Sequence, residues 1–389
     1  MNTNNSEPIK LSTETTETVK PGAIRRKTLQ VTQEELIKTS YLHPGQSLPL
    51  VIQPAVEGLD PVAWAASHRE FIEAKLLEHR ALLFRHFNVD SPDCFERFIG
   101  TISEELLEYR DRSSPRHQVR DKIYTSTDYP PDQTIFLHNE NSYQNLWPMK
   151  IYFYCQHAAT EGGATPIADV RRVYSRLSPA VRQRFIDRQV LYQRNFNHGF
   201  GLTWQTVFQT SDPQVVEDYC RRNAIDFHWL SDGRLRTRQV RPAVARHRVT
   251  GEWVWFNHAT FFHISTLEET LREVLLAEFA VEELPFNTYY GDGGEIEAEV
   301  LEELRGAYEA ERVRFGWEAG DVLLLDNMSV AHGREAYEGE RKVLVGMAEP
   351  CSRREVEEEG GGATTTAAVG SGGGEAAGVN HQDRQLASK

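Results

Sequence analysis

Short runs of β-branched and aromatic residues are scattered along the chain at irregular distances. Six of them have the length and composition of β-strands: residues 81–87, 134–137, 150–155, 253–256, 321–325 and 343–347. Helical patterns separate some of these runs but not others. Because a doubly wound parallel sheet needs strands and helices in regular alternation, this order favours an α+β domain with a sheet core and helical insertions.

Serine or aspartate directly before proline predicts where several helices begin. The side chain of the first residue can accept a backbone N–H, and proline suits the first helical turn. The signal occurs at Asp60-Pro61, Ser91-Pro92, Ser178-Pro179 and Asp212-Pro213. We expect the first of these helices to continue to about residue 80. Two more amphipathic helices are predicted over residues 267–280 and 296–313.

Composition separates the two ends of the chain from its middle. Residues 1–40 are rich in Thr, Asn, Glu and Ser, and residues 352–389 combine a run of Glu with Gly and Thr repeats. Such segments bury too little apolar area to offset the loss of chain entropy. We therefore expect a flexible N-terminal lead-in, one folded domain over residues 41–351, and a disordered low-complexity tail.

Charge and cysteine usage restrict the partners and the compartment. The formal net charge of −14 argues against nucleic acid and anionic membranes, since both attract an excess of Lys and Arg. No export signal or membrane-spanning run is recognisable. The four cysteines are widely spaced without a CxxC pair, which argues against a disulfide framework or a zinc-thiolate site. We expect a cytoplasmic protein, and its oligomeric state stays open.

A histidine followed two residues later by an acidic residue is half of a common iron-binding pattern. On an extended strand both side chains point to the same side and can share a metal ion. The pattern occurs at His68/Glu70, His138/Glu140 and His381/Asp383. The first pair lies in a predicted helix and the third in the tail, so His138 and Glu140 are the geometrically sound candidates. A salt bridge at the rim of a sheet explains the same spacing.

A third metal ligand has to come from far along the chain. Residues 320–327 have the pattern of a turn and a buried strand, and His332 follows them, then Gly333 and Arg334. A histidine in this place can point into a barrel, but a lone histidine there is more often a satisfied core or rim residue. Two imidazoles and one carboxylate on one face would suit a non-haem iron site with open positions.

Four motifs follow one another in a recognisable order. They are His138-Asn-Glu140-Asn-Ser, Gly162-Gly-Ala-Thr165-Pro-Ile-Ala-Asp169, Asp326-Asn327 with His332-Gly-Arg, and Arg341-Lys-Val-Leu. In this order they resemble the taurine dioxygenase (TauD/TfdA) superfamily of Fe(II)- and 2-oxoglutarate-dependent oxygenases, and within it the clavaminate-synthase-like and syringomycin-type branch. The resemblance covers residues 45–350. It implies a double-stranded β-helix, or jelly-roll, core with helical insertions.

The same resemblance implies a role for each motif residue. His138, Glu140 and His332 would hold Fe(II) and leave positions for 2-oxoglutarate and O2. Arg341 matches the family's arginine at the distal carboxylate of 2-oxoglutarate, where a guanidinium suits bidentate pairing. Thr165 matches the family's threonine at the same carboxylate. Considered alone, each residue favours a structural role: a surface ion pair with Glu338 or Glu340 for Arg341, and a turn for Thr165.

The implied activity is oxidation of an unactivated C–H bond of a small molecule, with succinate and CO2 as co-products. An amino acid or an aminoacyl group in a biosynthetic pathway, free or presented on a carrier protein, is the expected substrate. Val345 stands where taurine dioxygenase has a second arginine, which argues against taurine. Glu140 stands where halogenating relatives have a small residue, so hydroxylation is expected and halogenation is not. A catalytically silent β-helix and a hydrolytic zinc site are the alternatives, although neither requires Arg341 and Thr165.

Several other polar residues are given structural interpretations. A strand-like run carries the alternating arginines Arg234, Arg236, Arg238 and Arg241. It is interpreted as a solvated edge strand, with an acidic substrate or carrier as the alternative partner. His258 and His263 are expected to be core histidines, and Arg334 to form a structural ion pair. Asn327 is expected to brace the strand end below His332.

Overall fold

Two sheets face each other at the centre of the molecule. The computed structural model describes residues 9–12, 28–31, 36–107, 118–120, 122–126, 129–196 and 201–356. The larger sheet has the strand order Ile37–Tyr41, Leu50–Pro54, Ala81–Phe84, Val322–Asp326, Leu146–His157, Lys342–Ser352, Ile123–Thr125, Gln118–Arg120. Its strands are antiparallel except for the parallel pair Leu50–Pro54 and Ala81–Phe84. The smaller sheet has the antiparallel order Arg312–Val313, Ile167–Asp169, Val330–Arg334, Ile135–His138.

Side chains that alternate along the central strands form a core on each face of the larger sheet. On Lys342–Ser352, Val343 and Val345 point between the two sheets, where they join a cluster that includes Val330 of the smaller sheet. Leu344 points to the opposite face and packs in a second cluster with helix residues. This period of two is the expected behaviour of a strand buried on both sides. The two facing sheets form the predicted jelly-roll core.

All six predicted runs coincide with observed strands, although their ends shift. The largest extensions are in Leu146–His157 and Lys342–Ser352, which begin earlier or end later than the local composition indicates. These two strands pair with each other from Lys342 opposite His157 to Ser352 opposite Leu146. Backbone hydrogen bonds between the strands therefore extend them past their apolar centres, even through Pro148 and Pro350.

The predicted N-caps begin four helices. Asp60, Ser91, Ser178 and Asp212 each accept a backbone N–H in the first turn. The helices of the described residues are Pro61–Ser67, Arg69–His79, Pro92–Ile102, Val170–Arg176, Pro179–Arg188, Trp204–Phe208, Pro213–Arg222, Glu269–Glu278 and Ala298–Ala310. The expectation of one continuous helix from residue 61 to about 80 was wrong. His68 interrupts it, because its Nδ1 lies 2.7 Å from the carbonyl oxygen of Trp64 and its ring stacks on that indole.

The arginine-rich run does not form an edge strand. Leu235–Arg241 lies inside a third sheet with the order Asp226–Trp229, Leu235–Arg241, Val190–Phe196, Phe286–Tyr290. Arg241 is buried, and its guanidinium donates to the carbonyl oxygens of Asn223 and Ala224. Arg236 donates to Asn195 on the neighbouring strand. The interpretation as an edge strand was wrong because Asp226–Trp229 and Val190–Phe196 pair with this run on its two sides.

Short two-stranded pairs and the chain ends complete the description. The pairs are Ile9–Ser12 with Thr28–Val31, Glu161–Gly162 with Tyr337–Glu338, and Val244–Arg246 with Trp253–Trp255. The first pair and Ile37–Tyr41 lie in the segment expected to be a flexible lead-in, and Val356 packs on the core beyond the expected end at residue 351. The rest of the predicted lead-in and tail lies outside the described residues. Within the described part, no helix has the length and apolar character needed to cross a membrane.

Candidate metal centre

His138 ends the strand Ile135–His138, and Glu140 follows in the turn after it. The Nδ1 atom of His138 lies 2.9 Å from the carbonyl oxygen of Phe136. A carbonyl can only accept, so Nδ1 carries the hydrogen and Nε2 presents a lone pair, as in most metal-binding histidines. Phe261 stacks on this imidazole at a ring-centroid distance of 4.3 Å. The ring is therefore held in both orientation and tautomer.

His332 lies directly opposite His138 on the neighbouring antiparallel strand. Residues opposite each other on such strands point to the same face, and the two ring centroids are 4.6 Å apart. The register shifts immediately afterwards, between His332 and Arg334. A Cβ atom on Gly333 would lie 2.6 Å from the carbonyl oxygen of Ile135, so the close approach of the strands at this irregularity requires glycine.

The side chains of His138, Glu140 and His332 converge. One nitrogen of each imidazole and one carboxylate oxygen lie within 4.8 Å of one another, and the carboxylate oxygen lies 3.8 Å from Nε2 of His332. Glu140 and His332 are only 2% and 4% exposed. Two imidazoles and one carboxylate are the donor set of non-haem Fe(II) sites, so these residues fit an iron ion. The spacing candidate His68/Glu70 is not part of any such cluster among the described residues, and His381/Asp383 lies outside them.

Asn327 fixes the backbone that carries Glu140. It lies in the turn between Val322–Asp326 and Val330–Arg334 and is completely buried. Its Oδ1 accepts the N–H of Glu140 at 2.8 Å, and its Nδ2 donates to the carbonyl oxygens of Glu140 at 2.9 Å and Pro148 at 2.8 Å. Asn327 therefore braces the backbone of Glu140 in addition to the strand end for which the role was predicted. The sequence indicated this role only through the position of a polar residue next to a buried strand.

Arg341 and Thr165 lie together in a cavity next to the triad. His138 and His332 also line this cavity. Arg341 donates to the carbonyl oxygen of Gly163 at 2.9 Å and approaches the Thr165 hydroxyl at 3.3 Å. Thr165 also accepts a hydrogen bond from Trp317 at 2.9 Å. Because its oxygen accepts from both neighbours, its own hydrogen is available to donate to a carboxylate.

The electrostatics of Arg341 favour an anionic ligand. Burial, followed by the positive charge of Arg334, lowers the pKa of Arg341 to about 10. Among the described residues no carboxylate forms an ion pair with it, so the alternative of a surface ion pair is not what the structure shows. A cation that has lost water without gaining a counter-charge is stabilised by any anion that enters the cavity.

Arg334 does not form the structural ion pair that we expected from its sequence position. It is 5% exposed, and its guanidinium donates to the carbonyl oxygens of Tyr129, Pro130 and Gln133 at 2.8, 2.5 and 2.7 Å. Among the described residues, no carboxylate lies within ion-pair distance of it. The expectation was wrong because backbone carbonyls of a distant loop take the place of a carboxylate, and these carry no signal in the sequence. Arg334 thereby holds that loop beside the cavity.

The sequence profile described as "Taurine catabolism dioxygenase TauD, TfdA family" matches residues 42–348. The chain belongs to this family. The dapdiamide synthesis protein DdaC of Enterobacter agglomerans is 43% identical over 279 residues, which cover 72% of this chain and 85% of that protein. A clavaminate synthase-like protein of Arabidopsis thaliana is 28% identical over 316 residues, 79% of this chain and 89% of the relative.

Solved structures show the same fold at low sequence identity. PvcB of Pseudomonas aeruginosa superposes with a TM-score of 0.51 at 14% identity, over 82% of this chain and 92% of that one. A second structure of PvcB, described as an Fe, alpha-ketoglutarate dependent oxygenase from an isonitrile synthetic pathway, gives a TM-score of 0.50 at 14% identity and covers 82% and 93% of the two chains. These superpositions confirm the predicted jelly-roll architecture.

The family and the triad together define the chemistry. This member of the TauD/TfdA family is an Fe(II)- and 2-oxoglutarate-dependent dioxygenase, and Fe(II), 2-oxoglutarate and O2 are its cofactor and co-substrates, as predicted. Bound Fe(II) and 2-oxoglutarate supply an oxidative decarboxylation that yields succinate and CO2 and drives oxidation of the substrate. The donor set of the triad and the desolvated cation in the adjoining cavity fit these two groups.

Proposed function

We propose that His138, Glu140 and His332 hold Fe(II), and that Arg341 and Thr165 bind the distal carboxylate of 2-oxoglutarate. One observation carries the proposal: a single cavity is lined by both histidines of the triad and by Arg341 and Thr165. A dicarboxylate in this cavity has metal ligands on one side and a cation with a hydroxyl donor on the other. The guanidinium and the hydroxyl would fix its far end.

We further propose that the substrate is a small molecule of a biosynthetic pathway, an amino acid or an aminoacyl group, taken up free or on a carrier protein. The 43% identity to a protein named for dapdiamide synthesis supports a biosynthetic role. Val345 is completely buried in the apolar cluster between the sheets and offers no charge for a sulfonate. This supports the exclusion of taurine.

The expected outcome is hydroxylation or a related oxidation of a C–H bond. Glu140 supplies a carboxylate oxygen within the triad, and the hydrogen bonds of Asn327 hold its backbone from both sides. If 2-oxoglutarate and O2 take the positions that the triad leaves open, a carboxylate in this place would leave none for a halide. Halogenation is therefore not proposed.

Absorption spectroscopy tests the assignment of the site. Under anaerobic conditions, Fe(II) and 2-oxoglutarate together should give a visible metal-to-ligand charge-transfer band. His332→Ala should abolish the band, and Arg341→Ala should require much more 2-oxoglutarate to produce it. His263→Ala is a matched control, since His263 lies outside the triad and pairs with Ser265. A wild-type protein without the band would refute the proposal.

Succinate release tests the proposed substrate class. The assay measures O2-dependent succinate formation with a panel of free and carrier-bound amino acids. A substrate-dependent increase of at least tenfold over the uncoupled rate is expected for one member. If the band forms but no panel member raises succinate release, the site assignment stands and the proposed substrate class is refuted.

A further inference from the structure

Several buried hydrogen-bonding atoms near the triad have no partner within the described part of the protein, and Oδ1 of Asn139 is one of them. Four others lie on residues 141–142 and 258–260: Oδ1 of Asn141, Oγ of Ser142, Nδ1 of His258 and Oγ1 of Thr260. The four residues are 5%, 0%, 2% and 2% exposed. Buried polar atoms in folded proteins are nearly always hydrogen-bonded, so four such atoms on two short segments indicate a group that arrives from outside the chain.

These atoms belong to the surroundings of the metal ligands. Asn141 and Ser142 directly follow Glu140, and the ring of His258 stands nearly perpendicular to that of His138 at a centroid distance of 5.5 Å. The two segments are joined by a contact of 2.7 Å between Nε2 of His258 and the carbonyl oxygen of Asn139. None of the four residues lines the cavity that contains Arg341. They are therefore separate from the proposed 2-oxoglutarate site.

The tautomer of His258 follows from the one hydrogen bond that its imidazole makes among the described residues. Because the carbonyl oxygen of Asn139 only accepts, Nε2 of His258 must carry the hydrogen. Nδ1 is then a lone-pair acceptor. The backbone N–H of His258 is already satisfied by the hydroxyl of Tyr192 at 2.9 Å. The carbonyl oxygen of Thr260 likewise accepts a hydrogen bond from Thr266 at 2.6 Å. The groups on this segment that still lack a hydrogen-bond partner are therefore the acceptor Nδ1 of His258 and the hydroxyl of Thr260.

The neighbourhood favours a neutral ligand group over a cation. Tyr143, Phe261 and Phe262 surround the His258 ring at centroid distances of 5.0, 5.0 and 4.9 Å. None of the four residues with unpartnered atoms carries a charge, and a divalent metal nearby would repel an ammonium group. An amide N–H donates to such acceptors without carrying charge.

We infer that Asn141, Ser142, His258 and Thr260 form a hydrogen-bonding wall that selects substrates through an amide N–H next to the carbon to be oxidised. This inference rests on the proposed function and names a substrate class for it: amino acids whose amine or carboxyl group is in amide linkage. The wall supplies acceptors from Asn141 and His258 and adaptable hydroxyls from Ser142 and Thr260. An ester of the same shape leaves the acceptors unpaired, and a site of this kind rejects such analogues strongly.

Two variants of His258 distinguish recognition from a structural role. In the His258→Asn variant the amide oxygen occupies the place of Nδ1, so the acceptor is kept and the contact with Asn139 is lost. In the His258→Gln variant the amide nitrogen takes the place of Nε2, so the contact is kept and the acceptor is lost. His263→Gln is the matched control. Probes are N-acetyl-L-amino-acid amides and the corresponding methyl esters, added to the anaerobic complex with Fe(II) and 2-oxoglutarate.

Binding is measured as the probe-induced change of the visible absorption band. The wild type, the His263→Gln control and the His258→Asn variant should bind at least one amide about tenfold more tightly than its ester, as expected for one hydrogen bond to a buried acceptor. Both His258→Gln and Ser142→Ala should reduce this preference to near unity, with an unchanged titration by 2-oxoglutarate.

Three outcomes would overturn the inference: equal affinity for amides and esters, a band that no amide probe changes, or a preference that survives in His258→Gln and disappears in His258→Asn. The last result would assign His258 a structural role. Absence of the band from the wild type would instead refute the proposed function itself, so the two failures are distinguishable.

Discussion

Replacement of Asn327 by leucine removes three hydrogen bonds without changing the side-chain volume much. The buried N–H of Glu140 and the carbonyl oxygens of Glu140 and Pro148 lose their partners. Each orphaned group costs about 1–3 kcal/mol, and with some relaxation of the turn we expect the free energy of unfolding to fall by about 3–5 kcal/mol. Since typical domains are stable by about 5–15 kcal/mol, the variant should remain folded.

The effect on the metal site is the decisive part of this prediction. Without Asn327 the carboxylate of Glu140 is no longer held on a fixed backbone, and loss of such an outer support typically lowers metal affinity about 10–100-fold. Asn195→Leu is the matched control. Asn195 is also buried and its side chain also accepts one hydrogen bond and donates two: it accepts from the guanidinium of Arg236 and donates to the carbonyl oxygens of Glu282 and Leu284. It lies on Val190–Phe196, in the third sheet.

Urea unfolding and titration with Co(II) measure the two effects separately. Both variants should lose stability, but only Asn327→Leu should lose metal affinity. If Asn327→Leu is destabilised to the same degree as Asn195→Leu and still binds Co(II) like the wild type, Asn327 supports the fold and does not position Glu140. The reasoning from its hydrogen bonds would then be refuted.

Three further predictions concern the triad, the cavity and the strand irregularity. Saturating Co(II) should raise the melting temperature of the wild type, because metal binding adds about 2.7 kcal/mol to the free energy of unfolding when Co(II) is present at one hundred times its dissociation constant. Calorimetry should show no such increase for His332→Ala. Arg341→Lys should raise the dissociation constant for 2-oxoglutarate about tenfold, because lysine keeps the positive charge but cannot pair with both carboxylate oxygens as a guanidinium does. Arg341→Gln, which also loses the charge, should raise this constant further. If titration of the visible band finds both variants equal to the wild type, Arg341 does not contact 2-oxoglutarate. Gly333→Ala should lower the free energy of unfolding by about 1–3 kcal/mol, measured by urea unfolding, because the added Cβ would clash with the carbonyl oxygen of Ile135. An unchanged urea midpoint would show that the strand backbone can shift to accommodate the methyl group.

Features that depend on neighbouring residues were predictable from the sequence. The N-caps at Asp60, Ser91 and Ser178 act within one helical turn, so a short pattern contains all the information they need. His138 and Glu140 were selected from three matching pairs by the same kind of argument, because a strand-like run precedes them. Their convergence with His332 required more, and it came from the order of motifs along the chain.

Features that depend on distant parts of the chain were not predictable in this way. The carbonyl partners of Arg334 lie on a loop some 200 residues earlier, and backbone oxygens look alike at every position. Arg241 is likewise buried beside Val190 on a strand about 50 residues earlier, and its guanidinium donates to the carbonyl oxygens of Asn223 and Ala224, although the run itself is strongly basic. The helix break at His68 was also missed. The contact of His68 with Trp64 is local in sequence, but it depends on the orientation of the His68 side chain, which the sequence pattern does not show.

The pairing of His332 with His138 across neighbouring strands has a consequence for the synthesis of the protein itself, because it sets when the metal site can form during translation. These two ligands are brought together only by the register between Val330–Arg334 and Ile135–His138. During translation the first histidine and Glu140 leave the ribosome long before the second. A partly synthesised chain that lacks His332 therefore cannot assemble all three ligands, and the complete triad can capture iron only after residue 332 has been made. Iron loading thus reports that synthesis has passed the strand Val330–Arg334.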